Sequence, residues 1–337
     1  MIRIGVIGAG YWGPLHIRAF SRPPDATVTM AADVSRERLL RVQRAFPEVQ
    51  TTEDAEQLVA GPVDAVVVST PATTHAAIAG LALAQGKHVL VEKPLTTTSA
   101  EAAALIDRAA LQGLTLMAGH TIMYHAAVRA LRDLVQGGGL GRPLYVDAKR
   151  VNLGLHRKDV DVVWDLAPHD IAILRYVLGE DPIEARVHGA SFHVTEVAEV
   201  AYVELRYPSG VLANLHVSWL DPVKVRRMTV AGDRRMAVWD DLEPVEKLRV
   251  YDRGMERRPY FDDFGQWQVA YRHGGSHAVP LVFEEPLRLQ AAEFCRAIRT
   301  GDPPLTDGND GLAVVRTLEA ATATMRLGST ATVREGR

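Results

Sequence analysis

The feature that most constrains this chain is Gly8-Ala9-Gly10-Tyr11-Trp12-Gly13, which follows the apolar run Ile2–Ile7 and opens a helical segment. A G-x-G-x-x-G in that context is a dinucleotide fingerprint. Its first glycine permits the tight turn, its second lets the backbone approach a pyrophosphate, and its third lets helix and strand pack closely. The helix N-terminus then faces the phosphates. Asp33 ends the second apolar run, 20 positions after Gly13. An acidic side chain there bonds the adenosine ribose hydroxyls and repels a 2′-phosphate, so NAD is expected in preference to NADP. Arg36 and Arg38 follow closely and soften that preference. Gly8, Gly10, Tyr11, Trp12, Gly13 and Asp33 are therefore the expected cofactor residues of an N-terminal Rossmann domain.

The pattern downstream agrees. Buried runs at Thr27–Ala32, Ala65–Ser69, Val89–Val91 and Leu114–Ala118 alternate with helical segments. That alternation implies parallel β-α-β units and a doubly wound sheet. After about His120 the pattern changes. Helices are expected over His125–Val135 and Trp164–Gly179, and strands over Pro143–Val151, Arg186–His193, Glu199–Tyr207, Val211–Trp219 and Arg226–Ala231. Pro208-Ser209-Gly210 reads as a hairpin turn. The polar, aperiodic stretch Asp252–Ser276 reads as loop, before helices near Pro286–Arg299 and Asp310–Met325. The expected class is α/β: a NAD-binding Rossmann domain over 1–121, then a substrate-binding and oligomerisation domain over 122–337 with an open, mainly antiparallel sheet. The terminal helices are allowed to pack back on the first domain.

Composition narrows the function classes. A net charge of −3 gives no general attraction to nucleic acid or anionic membrane. One cysteine, Cys295, excludes an intramolecular disulfide and fits a reducing compartment. Without a visible signal peptide or an apolar run long enough to span a bilayer, a cytoplasmic location is expected.

Two further stretches carry chemistry. Ser69-Thr70-Pro71 ends a buried strand, and carboxyl ends of parallel strands are where ligands bind in such sheets. His75 follows on the next helix, with packing and cofactor contact equally open. Glu92-Lys93-Pro94 ends the next strand. Together, Gly-Ala-Gly-Tyr-Trp-Gly, Ser-Thr-Pro-Ala-Thr-Thr-His at 69–75, Gly-Lys-His-Val-Leu-Val-Glu-Lys-Pro-Leu at 86–95 and Asp165-x-x-x-His169 resemble the Gfo/Idh/MocA oxidoreductases over nearly the whole chain. The resemblance implies hydride transfer between nicotinamide and a sugar or cyclitol hydroxyl, an often cis Lys93–Pro94 bond, and a homodimer or homotetramer. Glu92, Lys93 and Pro94 then join the cofactor residues.

An ammonium at Lys93 would stabilise negative charge developing on the reacting oxygen. Asp165 and His169, four apart, share one helix face. Pro168 argues for a first-turn position, where the helix dipole favours the neutral imidazole that a general base must be. Lys93, Asp165 and His169 are the expected catalytic residues. Asp165, His169 and Asp170 as a metal site lack a further ligand placed by spacing, and no metal is expected.

The run from Asn152-Leu153-Gly154 through Trp164-Asp165-Leu166-Ala167-Pro168-His169 lacks the glycine that many family members carry at Ala167. With Gly119-His120-Thr121-Ile122-Met123-Tyr124, it is similar to a subgroup of nucleotide-sugar enzymes that includes UDP-N-acetylglucosamine 3-dehydrogenases. That adds His120, Tyr124, Asn152 and Trp164 as substrate residues. Lys224, Arg226 and Arg227 suit either a pyrophosphate or a solvated strand face. The expected reaction is oxidation at C3 of a nucleotide-linked hexose, or the reverse. A free-sugar or cyclitol dehydrogenase is the alternative, and a non-catalytic dinucleotide-binding sensor is the alternative of another class.

Overall fold

A computed structural model describes residues 1–22, 25–154, 160–193, 197–256 and 270–325. The chain divides into two compact units, one of residues 1–125 and 283–319, the other of residues 126–282 and from Ala320 onward.

The first unit is built on strands β1 (Ile2–Ile7), β2 (Ala26–Ala32), β3 (Gln50–Thr52), β4 (Ala65–Val68), β5 (His88–Glu92) and β6 (Leu116–Gly119). They form a parallel sheet of order β3-β2-β1-β4-β5-β6, the doubly wound arrangement. Val66, Val67, Val68, Val89, Leu90 and Val91 are wholly buried. Helices covering both faces of the sheet explain why these strands read as unbroken apolar runs rather than alternating ones. The helices are α1 (Trp12–Phe20), α2 (Arg36–Ala45), α3 (Ala55–Ala60), α4 (Ala72–Ala84) and α5 (Ser99–Leu111). α5 begins in a capping box of Thr98 and Glu101. The sequence pattern did not show β3 or α3, which are too short and polar to carry a period.

The second unit contains α6 (Ala126–Gln136), β7 (Pro143–Leu153), α7 (Val162–Leu178) and β8 (Glu184–Ala190). Strands β9 (Val200–Arg206), β10 (Leu212–Ser218), β11 (Leu220–Gly232), β12 (Met236–Asp240), β13 (Leu248–Glu256) and β14 (Ala270–Ala278) follow. The sheet order is β14-β13-β12-β11-β7-β10-β9-β8, and every neighbouring pair is antiparallel except β7 with β10. The loop expected over Asp252–Ser276 is corrected within the described residues. β13 and β14 pair there, from Arg249 opposite Ala278 to Glu256 opposite Ala270. The polar strand ends carry no alternation, and strand pairing rather than side-chain pattern makes the hairpin. Residues 257–269 of that stretch lie outside the described ones.

α8 (Pro286–Thr300) and α9 (Gly308–Thr324) follow. α8 packs on α1, with Phe20 and Phe294 edge to face at 6.1 Å. Residues 308–319 of α9 belong with the first unit and its end with the second. Cys295 is buried on α8, and burial pushes its thiol up to about 12, which leaves it unreactive. Among the described residues, no helix is long and apolar enough to cross a membrane.

Candidate active site

The fingerprint loop is set by backbone approach. Gly8 has φ +99° and donates its N–H to the Ala32 carbonyl at 2.7 Å. A Cβ on Gly8 would lie 2.6 Å from the Ser69 backbone, and one on Gly13 would lie 2.1 Å from the Gly8 oxygen. Gly10 differs, since nothing lies within 4 Å of a Cβ built there. The tight glycines make the turn, and Gly10 leaves the space that a pyrophosphate requires. α1 has no side-chain cap and no acidic residue in its first turn, so its N–H groups suit an anion. Tyr11 is exposed and Trp12 partly so.

Asp33 is 8% exposed at the end of β2. Its Oδ2 accepts the Ala9 N–H at 2.7 Å, and its Oδ1 accepts the Ser35 N–H at 2.8 Å. Arg38 approaches Oδ2 at 3.5 Å. A carboxylate has about four acceptor positions, so Asp33 can hold the loop and still accept from ribose hydroxyls. These residues fit a dinucleotide.

The ends of β4 and β5 are tied together beside this loop. Ser69 Oγ donates to the Gly8 carbonyl at 2.8 Å. Thr74 Oγ1 bonds Thr70 Oγ1 and the Pro71 carbonyl, each at 2.8 Å. Buried His75 places Nδ1 2.8 Å from the Pro94 carbonyl and Nε2 2.9 Å from the Thr70 carbonyl. It therefore staples the Ser-Thr-Pro turn to the cis Lys93–Pro94 turn.

Glu92 turns inward. Its Oε1 lies 2.8 Å from His16 Nε2, and its Oε2 accepts the Lys93 N–H at 3.2 Å. Burial works against the Glu92 charge, but His16 and Lys93 outweigh it and hold its carboxyl below the usual range. Lys93 is half-buried at the strand end. His16 was not anticipated. The signal was present, a polar residue on the α1 face shared with Gly13, Ile17 and Phe20, all of which are buried.

His120 follows β6 and is buried, with no hydrogen-bond partner for either ring nitrogen. Burial first, then Lys93, push it down to about 4 against the pull of Glu92, so it is neutral at physiological pH. Tyr124 is buried too, its hydroxyl 3.4 Å from Thr306 Oγ1.

In the second unit, α7 carries Trp164, Asp165 and His169. Asp161 caps it, accepting the Trp164 N–H at 2.9 Å, and Gly179 closes it at φ +74°. Burial raises the Asp161 pKa against two backbone N–H bonds. The start at Val162 corrects the expected first-turn position of Pro168 and His169: Pro168 lies inside the helix. The dipole effect fades beyond the first turn, so the helix end contributes little to the charge state of His169. Asp165 does fall in the first turn, and its Oδ2 accepts Trp219 Nε1–H at 3.1 Å. Trp164 Nε1–H donates to Thr322 Oγ1 at 2.9 Å. Asn152 lies near the end of β7, beside Gly154.

Asp170 is bound to Arg150 on β7 through two hydrogen bonds of 2.9 and 2.7 Å. Burial opposes the Arg150 charge, yet the Asp170 carboxylate prevails and holds the Arg150 pKa above its ordinary value. Among the described residues, no cluster of three His, Cys, Asp or Glu forms a metal cage. Lys224 and Arg227 are exposed on β11, and Arg226 pairs with Asp241 at 3.4 Å.

Residues 2–120 match the GFO_IDH_MocA oxidoreductase family with its NAD-binding Rossmann fold, and residues 128–238 match the GFO/IDH/MocA C-terminal domain. The chain is 32% identical to a UDP-N-acetylglucosamine 3-dehydrogenase of Acidithiobacillus ferrooxidans, over 93% of this chain and 94% of that protein. It is 25% identical to a myo-inositol 2-dehydrogenase of Thermotoga maritima, over 92% of each. A solved structure of the Acidithiobacillus enzyme superposes with a TM-score of 0.82 at 30% identity, covering 96% of this chain and 97% of that one. With the fingerprint loop, Asp33 and the two-sheet architecture, these likenesses make the chain a member of the Gfo/Idh/MocA family, an NAD-binding oxidoreductase acting on sugar-type CH–OH groups.

Proposed function

We propose that this enzyme oxidises the C3 hydroxyl of a nucleotide-linked hexose, or reduces the matching ketosugar. The observation that carries the reading is the Asp165–His169 pair on α7, with Asp165 oriented by Trp219, in a chain that also keeps Lys93 at the β5 end. Bound NAD supplies the hydride acceptor. His169 takes the hydroxyl proton, Lys93 donates to the oxygen as it gains negative charge, and Asp165 orients the imidazole or holds a neighbouring hydroxyl. The reading requires Lys93 and His169 to act on one hydroxyl, although they belong to different units.

A panel of nucleotide sugars, free sugars and cyclitols, followed by reduced-nicotinamide absorbance, tests the substrate. Binding energy from a remote nucleotide positions the reacting carbon, so UDP-N-acetylglucosamine should exceed free N-acetylglucosamine by about a hundredfold or more in kcat/KM. Equal efficiency would remove the nucleotide-sugar reading. Preferred turnover of myo-inositol would favour the cyclitol alternative, which the Thermotoga relative keeps open. Bound NAD without turnover on any member of the panel would point to a sensor.

Asp33 supports NAD over NADP, since a 2′-phosphate would meet a buried carboxylate. Calorimetric titration should give the tighter Kd for NAD. Asp33→Ala should narrow the ratio by about tenfold, because Arg38 would then be released toward the phosphate. Tighter NADP binding by the wild type would overturn the preference.

The sheet face opposite α6 and α7 supports a homodimer or homotetramer. Tyr145, Tyr202 and Leu212 stand 49%, 47% and 57% exposed on it. A face of this kind matches an interface between copies better than a solvated surface. Light scattering at micromolar concentration should give a multiple of the 36.8 kDa chain. A monomer mass would refute this.

A further inference from the structure

Pro168 sits inside α7 immediately before His169. Its ring nitrogen has no hydrogen to donate to the Trp164 carbonyl, so the helix is weakened where it carries its chemistry. Side-chain ties stand on both sides of the flaw. Before it, Asp165 accepts from Trp219, and Trp164 donates to Thr322. After it, Asp170 accepts from Arg150 Nε and Nη2, at 2.9 and 2.7 Å, with the two residues only 3% and 5% exposed.

We propose that Arg150 and Asp170 are positioning residues for His169, clamping α7 to β7 two residues beyond the proline. The proposal rests on His169 being the general base. A planar fork against a carboxylate fixes angle as well as distance, which apolar contacts alone do not. Buried ion pairs contribute little net stability relative to a well-packed apolar pair, and one attested role is to fix a single geometry. Misplacement of a reacting group by about 1 Å costs on the order of a hundredfold in rate.

The experiment separates geometry from stability. The double variant Arg150→Met/Asp170→Leu replaces the clamp with apolar side chains, and Asp170→Asn keeps its shape while losing its charge. Both are assayed in the full-length chain with saturating NAD and UDP-N-acetylglucosamine, unlabelled and deuterated at C3. The double variant should unfold within a few degrees of the wild type, yet lose kcat by about tenfold or more with KM nearly unchanged. Its deuterium isotope effect should rise as hydride transfer becomes limiting. In Asp170→Asn, amide hydrogen exchange should quicken across α7 and stay unchanged in α6, a readout that needs no substrate. Wild-type kcat in the double variant, or unchanged α7 exchange in Asp170→Asn, would overturn the proposal. His169→Ala, assayed in parallel, leaves the clamp intact. Retained turnover there would defeat the base assignment itself and the proposal with it, whereas its loss beside an unaffected double variant would defeat the proposal alone.

Discussion

His169→Ala and Lys93→Met should each lower kcat by about a hundredfold or more, about 3 kcal/mol of transition-state stabilisation. Hydride leaves a secondary alcohol carbon readily only as the hydroxyl proton is taken, so with His169 as the proposed base and Lys93 as the proposed donor both losses act on one transition state. Their effects should therefore be less than additive in the double variant. NAD affinity should survive His169→Ala, because the residue lies on α7 in the second unit, outside the fingerprint unit. Lys93→Met can weaken NAD binding as well, since Lys93 adjoins the turn that His75 staples through Pro94. Steady-state kinetics beside calorimetric NAD titration resolves the two. Near-normal turnover by His169→Ala would move the base elsewhere. Tyr124 is then poorly placed to replace it, being buried with its hydroxyl near Thr306.

Gly10→Ala and Gly13→Ala should both abolish tight NAD binding, by different routes. At Gly13 the added Cβ would lie 2.1 Å from the Gly8 carbonyl oxygen, a backbone atom that cannot step aside without moving β1 or α1. Overpacking of this kind costs about 1–3 kcal/mol or more, so the variant should unfold several degrees earlier. At Gly10 no protein atom lies within 4 Å of the new methyl, so the melting temperature without cofactor should stay close to the wild-type value. NAD affinity should nonetheless fall by about a hundredfold, as the methyl occupies the space where loop N–H groups meet the pyrophosphate. Losing one or two charge-assisted hydrogen bonds is of that size. Calorimetry with differential scanning fluorimetry distinguishes the routes. Wild-type NAD affinity in Gly10→Ala would mean that the pyrophosphate lies elsewhere.

The two units differ in how much of them was legible in the sequence. The fingerprint glycines, Asp33, the Lys93 strand end and the Asp165/His169 spacing are local patterns, and each follows from one turn, one strand end or one helix face. The parallel sheet was equally open, because strands buried on both faces read as continuous apolar runs. β3, α3 and the β13–β14 hairpin were hidden, since short or polar elements acquire their structure from neighbours rather than from their own period. The helix start at Val162, capped by Asp161, was also hidden. Pro168, between Asp165 and His169, suggested a first turn, and only the burial of Val162 and Val163 shows the helical residues before them. The pairing of His16 with Glu92 spans 76 residues, and that of Arg150 with Asp170 joins a strand to a helix. Spacing carries no information about such partners, because they are brought together by sheet order and by how each helix lies on its sheet. Local pattern was enough for the family, the parallel sheet and the NAD fingerprint, because each is written within a few neighbouring residues; the buried pairs His16–Glu92 and Arg150–Asp170 came only with the fold, because their partners lie far apart along the chain.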